Sequence, residues 1–111
     1  MVEVTDSLLR DMVAAVVRAA NPRRVILFGS RARGDAGPDS DVDLLIVEDG
    51  PFSPAHSRWD ELRKVRRALS GFRIANDILL FSNEEVEQWR GCTNHVVSRG
   101  LREGKVLYER P

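Results

Sequence analysis

Cysteine is almost missing from the chain: Cys92 is the only one in 111 residues. No disulfide can close within it and no cysteine-based zinc site can be built, which points to a reducing compartment. An excess of one charge is missing too, since 17 Lys+Arg balance 17 Asp+Glu. A protein whose main work is coating nucleic acid needs a basic excess, so nucleic acid is not expected as the main partner. Long apolar runs are absent. Stretches such as Leu44–Val47 fall far short of the roughly 18 residues that a membrane helix needs. The opening residues Met-Val-Glu-Val-Thr-Asp lack the basic start of a signal peptide. These absences predict a cytoplasmic location and no membrane association. What remains is 42% hydrophobic and 31% charged, the profile of a soluble globular protein. The length suits one domain spanning residues 1–111.

Hydrophobic periodicity divides the chain into alternating helices and strands. Leu8, Leu9, Met12, Val13, Val16, Val17 and Ala20 share one helical face and predict a helix over 5–20, capped by Thr5 or Asp6 and ended at Asn21-Pro22. Val25–Phe28 reads as a strand buried on both faces. Gly29-Ser30 follows at once, opening a helix or tight turn, and 35–40 is loop. Asp41–Val47 is a second strand. The two prolines of 50–57 suggest an exposed, mobile connection. A helix over 58–69 turns Trp59, Leu62, Val65 and Leu69 inward, with a basic outer face from Arg58 to Arg67, and Gly71 stops it. Phe72–Phe81 reads as a third strand, Ser82–Glu85 as a capping box, 94–102 as a last helix stopped by Gly104, and Val106–Tyr108 as a terminal strand. The fold class is α/β (α+β): a small mixed sheet flanked by helices.

Three acids occupy positions where acids are costly. Asp41 and Asp43 are one residue apart on a strand, so both side chains project from one face, roughly 6.6 Å apart. Paired carboxylates repel unless a cation lies between them. Mg²⁺ takes oxygen ligands and is commonly held by one or two carboxylates plus substrate phosphates. Asp77 lies within the apolar stretch of the third strand, where a carboxylate needs a partner or a metal. If the third strand lies beside the second, Asp77 joins the same face. Each feature alone is weak: Asp pairs often flank turns, and Gly-Ser occurs in many loops. Their order is the specific signal. A strand, Gly29-Ser30, a short loop, a strand with Asp41-x-Asp43 and a strand with Asp77 put a phosphate cradle beside metal-binding carboxylates. In that cradle, glycine lets the backbone approach a phosphate and the Ser30 hydroxyl donates to it.

Gly29-Ser30-x-Ala32-Arg33-Gly34, followed by Ser40-Asp41-x-Asp43-Leu44, resembles the signature of the minimal nucleotidyltransferases of the DNA polymerase beta-like superfamily. Residues 31–40 supply the family's gap of about ten, and Asp77 falls where the family has its third acid. The resemblance implies the nucleotidyltransferase (polymerase beta-like) fold. It also implies transfer of a nucleoside monophosphate from ATP or another nucleoside triphosphate to a hydroxyl. Two Mg²⁺ ions would be held by Asp41, Asp43 and Asp77, and Gly29, Ser30, Arg33 and Ser40 would contact the nucleotide. Such short chains resemble the antitoxins of toxin–antitoxin pairs whose toxin is a HEPN-domain ribonuclease, with AMP transferred to a toxin tyrosine.

The remaining residues have plainer readings. Arg33 can touch phosphate or pair with a structural carboxylate, and Arg31 is expected to face solvent. Asp35 and Asp39 read as loop residues and Cys92 as buried and inert. His56 and His95 are far apart and suggest no metal site. The basic run Arg58, Arg63, Lys64, Arg66, Arg67 reads as a solvated helix face. Trp59 and Trp89 read as core, and if exposed would mark, with 50–57, a docking surface. Two classes of function remain, an active nucleotidyltransferase and a non-catalytic partner that neutralises a toxin by contact alone. Three intact acids favour the first.

Overall fold

A computed structural model describes residues 4–37, 40–91 and 96–111. The first helix, α1 (Asp6–Ala20), starts where the Thr5 side chain accepts from the Leu8 N–H at 3.1 Å. It ends at Asn21, which turns left-handed at φ 46° and donates its N–H to Val17 O. Asparagine tolerates that conformation better than most residues. Strand β1 (Arg24–Phe28) runs directly into a five-residue helix, α2 (Gly29–Arg33), and the chain then returns as β2 (Val42–Glu48). Helix α3 (Arg58–Leu69) crosses to β3 (Asn76–Ser82), followed by α4 (Asn83–Trp89), α5 (Val96–Glu103) and β4 (Lys105–Glu109). Ser82 and Glu85 form the expected capping box.

The four strands make one mixed sheet in the order β3-β2-β1-β4. β1 is antiparallel to both its neighbours, while β2 and β3 are parallel, joined by the α3 crossover. Strand alternation divides the core in two. Val42, Leu44 and Ile46 of β2 pack with Met12, Val13 and Val16 of α1 and with Val65 and Leu69 of α3. Leu45 and Val47 pack on the other face with Val86 of α4 and, half-buried, Leu79, Phe81, Trp89 and Leu101. β2 is therefore central in its sheet and covered on both faces. All its residues are buried except Asp43, which is half-buried. Each fully buried aliphatic side chain contributes about 1.5–3 kcal/mol, so β2 anchors the fold. Among the described residues no helix is long and apolar enough to cross a membrane.

Four expectations are corrected. The buried stripe of α3 is Glu61, Val65 and Leu69, spaced by whole turns, and Trp59 lies off it at 68% exposure. The 50–57 connection is a folded turn: Ser53 and His56 exchange backbone hydrogen bonds at 3.0 Å, Phe52 stacks on His56, and the Arg58 guanidinium sits 4.5 Å above the Phe52 ring. Residues Ser70–Phe72 form a 3₁₀ turn and Arg73 is left-handed, so β3 starts only at Asn76. Asp77 then sits at the exposed start of that strand and not within its apolar stretch, so it avoids the burial cost expected of it. The readings made for Asp39, Cys92 and His95 lie outside the described residues.

Gly104 stops α5 where its N–H meets Gly100 O at 2.7 Å. A Cβ there would collide with that same carbonyl oxygen and stand 2.6 Å from Ile26 Cγ2. Gly104→Ala is expected to cost about 1–3 kcal/mol in urea unfolding, since backbone blocks the added methyl. Gly50→Ala, with open space around it, should stay within about 0.5 kcal/mol of the parent.

Candidate functional site

The C-terminal end of β1 and the N-terminal ends of β2 and β3 meet at one edge of the sheet. In the strand register Phe28 faces Asp43, and Asp43 faces Asp77. Neighbouring strands lie about 4.8 Å apart, so Gly29, Asp43 and Asp77 stand nearly abreast. Asp43 and Asp77 share their strands' odd positions with Leu45, Leu79 and Phe81, which places them on the α4/α5 face. Asp41 is exposed just before β2.

Gly29 opens α2 at φ +73°, a conformation that other residues adopt at a cost. A Cβ on Gly29 would fall on Asp43 Oδ2 and 3.1 Å from Asp43 Cγ. The Asp43 carboxylate therefore lies directly against the start of α2, and only glycine allows it. Burial pushes the Asp43 carboxyl above its ordinary range, and the charges of Asp77 and Asp41 push the same way. Arg33 and Arg31 oppose the rise. The three acids thus share one local field. Among the described residues their oxygens do not gather within 4.8 Å of one another. An all-oxygen donor set with shared negative potential fits a hard divalent cation such as Mg²⁺.

Arg31 has a structural task that its sequence position concealed. Half-buried, it donates from Nε (3.1 Å) and a terminal nitrogen (2.6 Å) to Ser40 O. This fork fixes the backbone one residue before Asp41. Ser40 also bonds back to Gly37, its N–H donating to Gly37 O at 3.2 Å and its Oγ accepting from Gly37 N–H at 3.0 Å. Arg33 takes the ion-pair alternative, with Asp35 at 3.3 Å and Glu103 at 3.7 Å. These partners are largely exposed and hold it weakly. Ser30 is half-buried at the same edge. Trp89 packs half-buried against the second core cluster and leaves Trp59 as the exposed tryptophan. Of the basic run on α3, Arg63 pairs with Asp60 and Lys64 with Glu61, as on a solvated helix face. Arg58 instead turns to Glu85 and Leu80 O. Sequence reading missed a cluster of Glu48, His56 and Glu61 at the opposite end of β2. Its one advance signal was a glutamate closing an apolar strand.

Comparison with known proteins follows the same lines. A nucleotidyltransferase domain family matches residues 9–107. MJ0604 of Methanocaldococcus jannaschii, named as a candidate protein adenylyltransferase, is 33% identical over 86 residues, 78% of each chain. A second protein of that organism with the same description, MJ0141, is 43% identical over 58 residues, 51% of this chain and 52% of its own. Among solved structures, a candidate nucleotidyltransferase from Sulfolobus solfataricus superposes with a TM-score of 0.65 at 24% identity, covering 94% of this chain and 79% of that one. A toxin–antitoxin complex solved with AMP-PNP gives 0.53 at 20% identity, over 91% of this chain and 73% of that one. The two structural likenesses speak for the fold alone. The family match spans nearly the whole chain and includes the edge where Gly29, Asp43 and Asp77 meet, so the protein belongs to the nucleotidyltransferase domain family and is a nucleotidyltransferase.

Proposed function

We propose that the protein moves AMP from ATP to a hydroxyl group on a partner protein, with a tyrosine of a cytoplasmic HEPN-domain toxin as the acceptor, and so acts as an antitoxin. The register that sets Asp43 beside Asp77, with Gly29 against Asp43, carries this reading. The names of the M. jannaschii relatives support a protein acceptor. The toxin–antitoxin neighbours, including a mutant of the MntA–HpeT pair, support the setting.

In this reading Asp41, Asp43 and Asp77 would hold divalent cations beside the triphosphate, with Asp77 on the acceptor side. Two Mg²⁺ ions would offset the charge that develops on the attacking and leaving oxygens. The acceptor oxygen attacks the α-phosphorus, the bond to the bridging oxygen of the β-phosphate breaks, and pyrophosphate departs. Asp77, exposed at the start of β3, would ligate the ion that activates the hydroxyl or take its proton. Gly29 and Ser30 border the phosphates, and Arg33 and Ser40 stand at the loop beside them. Arg33 can leave its exposed carboxylates at little cost. Exposed Trp59 offers a rigid apolar contact for the partner. The alternative, neutralisation by contact alone, needs none of the three acids.

Asp43→Asn should cut transfer by more than about 100-fold, since even an outer partner of a metal ligand is worth 10–100-fold. The melting temperature should hold or rise, because burial and two like charges already disfavour the charged form. Near-normal transfer would remove Asp43 from the chemistry.

Gly29→Ala should weaken triphosphate binding in calorimetry and lower stability. The left-handed conformation alone costs about 1–2 kcal/mol, and the methyl displaces Asp43. Unchanged affinity would place the nucleotide elsewhere.

The acceptor is tested by intact-mass spectrometry of the toxin after incubation with ATP, Mg²⁺ and either parent or Asp41→Asn protein. The toxin should gain the mass of one AMP with the parent only, because docking raises effective molarity steeply. Equal inhibition by both proteins without a mass change would favour contact alone.

A further inference from the structure

Glu48 closes β2 at the end away from Asp43, about 17 Å along the strand at 3.3 Å per residue. The alternation that turns Asp43 to the α4/α5 face turns Glu48 to the α1/α3 face. Its side chain is only 5% exposed. Buried carboxylates are rare unless something neutralises them. Two ligand-type groups converge on this one from separate elements. His56, from the 50–57 turn, places Nε2 at 3.5 Å from Glu48 Oε1 and Nδ1 at 3.7 Å from Glu61 Oε1. Glu61, on the buried stripe of α3, is only 9% exposed at its side chain. One ligand atom from each of the three lies within 4.8 Å of the others. The second Glu48 oxygen, Oε2, is buried and has no hydrogen-bond partner. A buried acceptor without a donor beside an imidazole and a second carboxylate is what a metal site looks like before the metal is added.

We propose that Glu48, His56 and Glu61 form a binding site for a first-row divalent cation, with zinc as the best match, separate from the carboxylates of the transfer site. Two carboxylates and one imidazole suit Zn²⁺ in tetrahedral coordination, with a water or other ligand in the fourth position. Mg²⁺ and Ca²⁺, which prefer oxygen ligands, match less well. Ligand atoms within 4.8 Å need to close by about 1–1.5 Å to meet metal bonds of roughly 2.0–2.2 Å. Two of the surrounding side chains reach solvent. His56 is 38% exposed, which also gives the ion an approach. Lys64, now 2.9 Å from Glu61 Oε1, is 54% exposed and can swing into solvent. Burial and the charge of the adjacent Glu61 push the Glu48 carboxyl up, the direction expected of two carboxylates crowded out of water. Binding would tie the 50–57 turn and the first turn of α3 to the end of the central strand. It would brace the crossover that positions β3, and with it Asp77.

The test uses the full chain and Zn²⁺ alone, titrated by calorimetry with excess Mg²⁺ in the buffer to occupy the transfer site. Parent protein should bind one equivalent of Zn²⁺ and melt at higher temperature with it. His56→Gln and Glu61→Gln should each weaken binding by at least about tenfold. Asp41→Asn combined with Asp43→Asn should leave zinc binding unchanged, although it stops transfer. Co²⁺ in place of Zn²⁺ should shift the proton resonances of the His56 ring in the parent protein. That readout needs no variant, so a fold defect in a substituted protein cannot hide the answer. Absence of binding, equal affinity in a folded His56→Gln protein, or loss of binding in the double aspartate variant would each overturn the proposal. The double variant separates this result from any failure of the transfer reading.

Discussion

A slip of one residue between β3 and β2 would turn Asp77 to the other face of the sheet, away from Asp43. The candidate site depends on that single register. It is held from Val42 opposite Asn76 to Glu48 opposite Ser82, and a slip would misfit the side chains packed on each face and carry the polar residues at the ends of β3, Asp77 and Ser82, to the wrong side. The antiparallel pairing of β1 with β2 adds the third member by setting Phe28, and so Gly29, beside Asp43. Core packing thus fixes the position of charged groups that gain nothing from packing themselves.

Those charges are tolerated because they sit at the ends of β2. The strand's middle, Leu44–Val47, is fully apolar and covered on both sides. At one end Asp43 is half-buried among like charges; at the other Glu48 is buried beside Glu61. Each end strains against burial of negative charge, and each has cationic or ligand-type groups within reach: Arg31 and Arg33 at the first, His56 and Lys64 at the second. The strand's hydrophobic middle offsets the cost of both.

The elements were legible in the sequence because they follow short-range rules. Thr5, Ser57 and Ser82 cap their helices through side chains, and short continuous apolar runs mark β1 and β2. The Gly29-Ser30 and Asp41-x-Asp43 order was legible too, since its partners lie close along the chain. What escaped depends on contacts between distant segments. Trp59 looked inward because an aromatic residue on a helix is usually core, yet Glu61 holds the inward position through its contacts with His56 and Lys64. Arg31 looked solvent-facing, and only the path of the loop brings Ser40 O within its reach. The 50–57 segment read as a mobile connection from its prolines, while the pairing of Ser53 with His56 and the stack of Phe52, His56 and Arg58 fold it. Periodicity carries no trace of such pairings.

Arg31 also shows how little of the fold is available to hold Asp41. The residue precedes β2, outside the paired register of the sheet, and it is exposed to solvent. The forked contact from Arg31 to Ser40 O does that work from α2. α2 itself starts at the glycine that makes room for Asp43. One five-residue helix therefore sets the positions of two of the three acids, the first through a guanidinium and the second through the absence of a side chain. A charge-assisted, two-pronged hydrogen bond is directional as well as strong, which a surface ion pair is not. The short helix after β1 is therefore the part of the structure where a small displacement would separate Asp41 from Asp43 without disturbing the core beneath them.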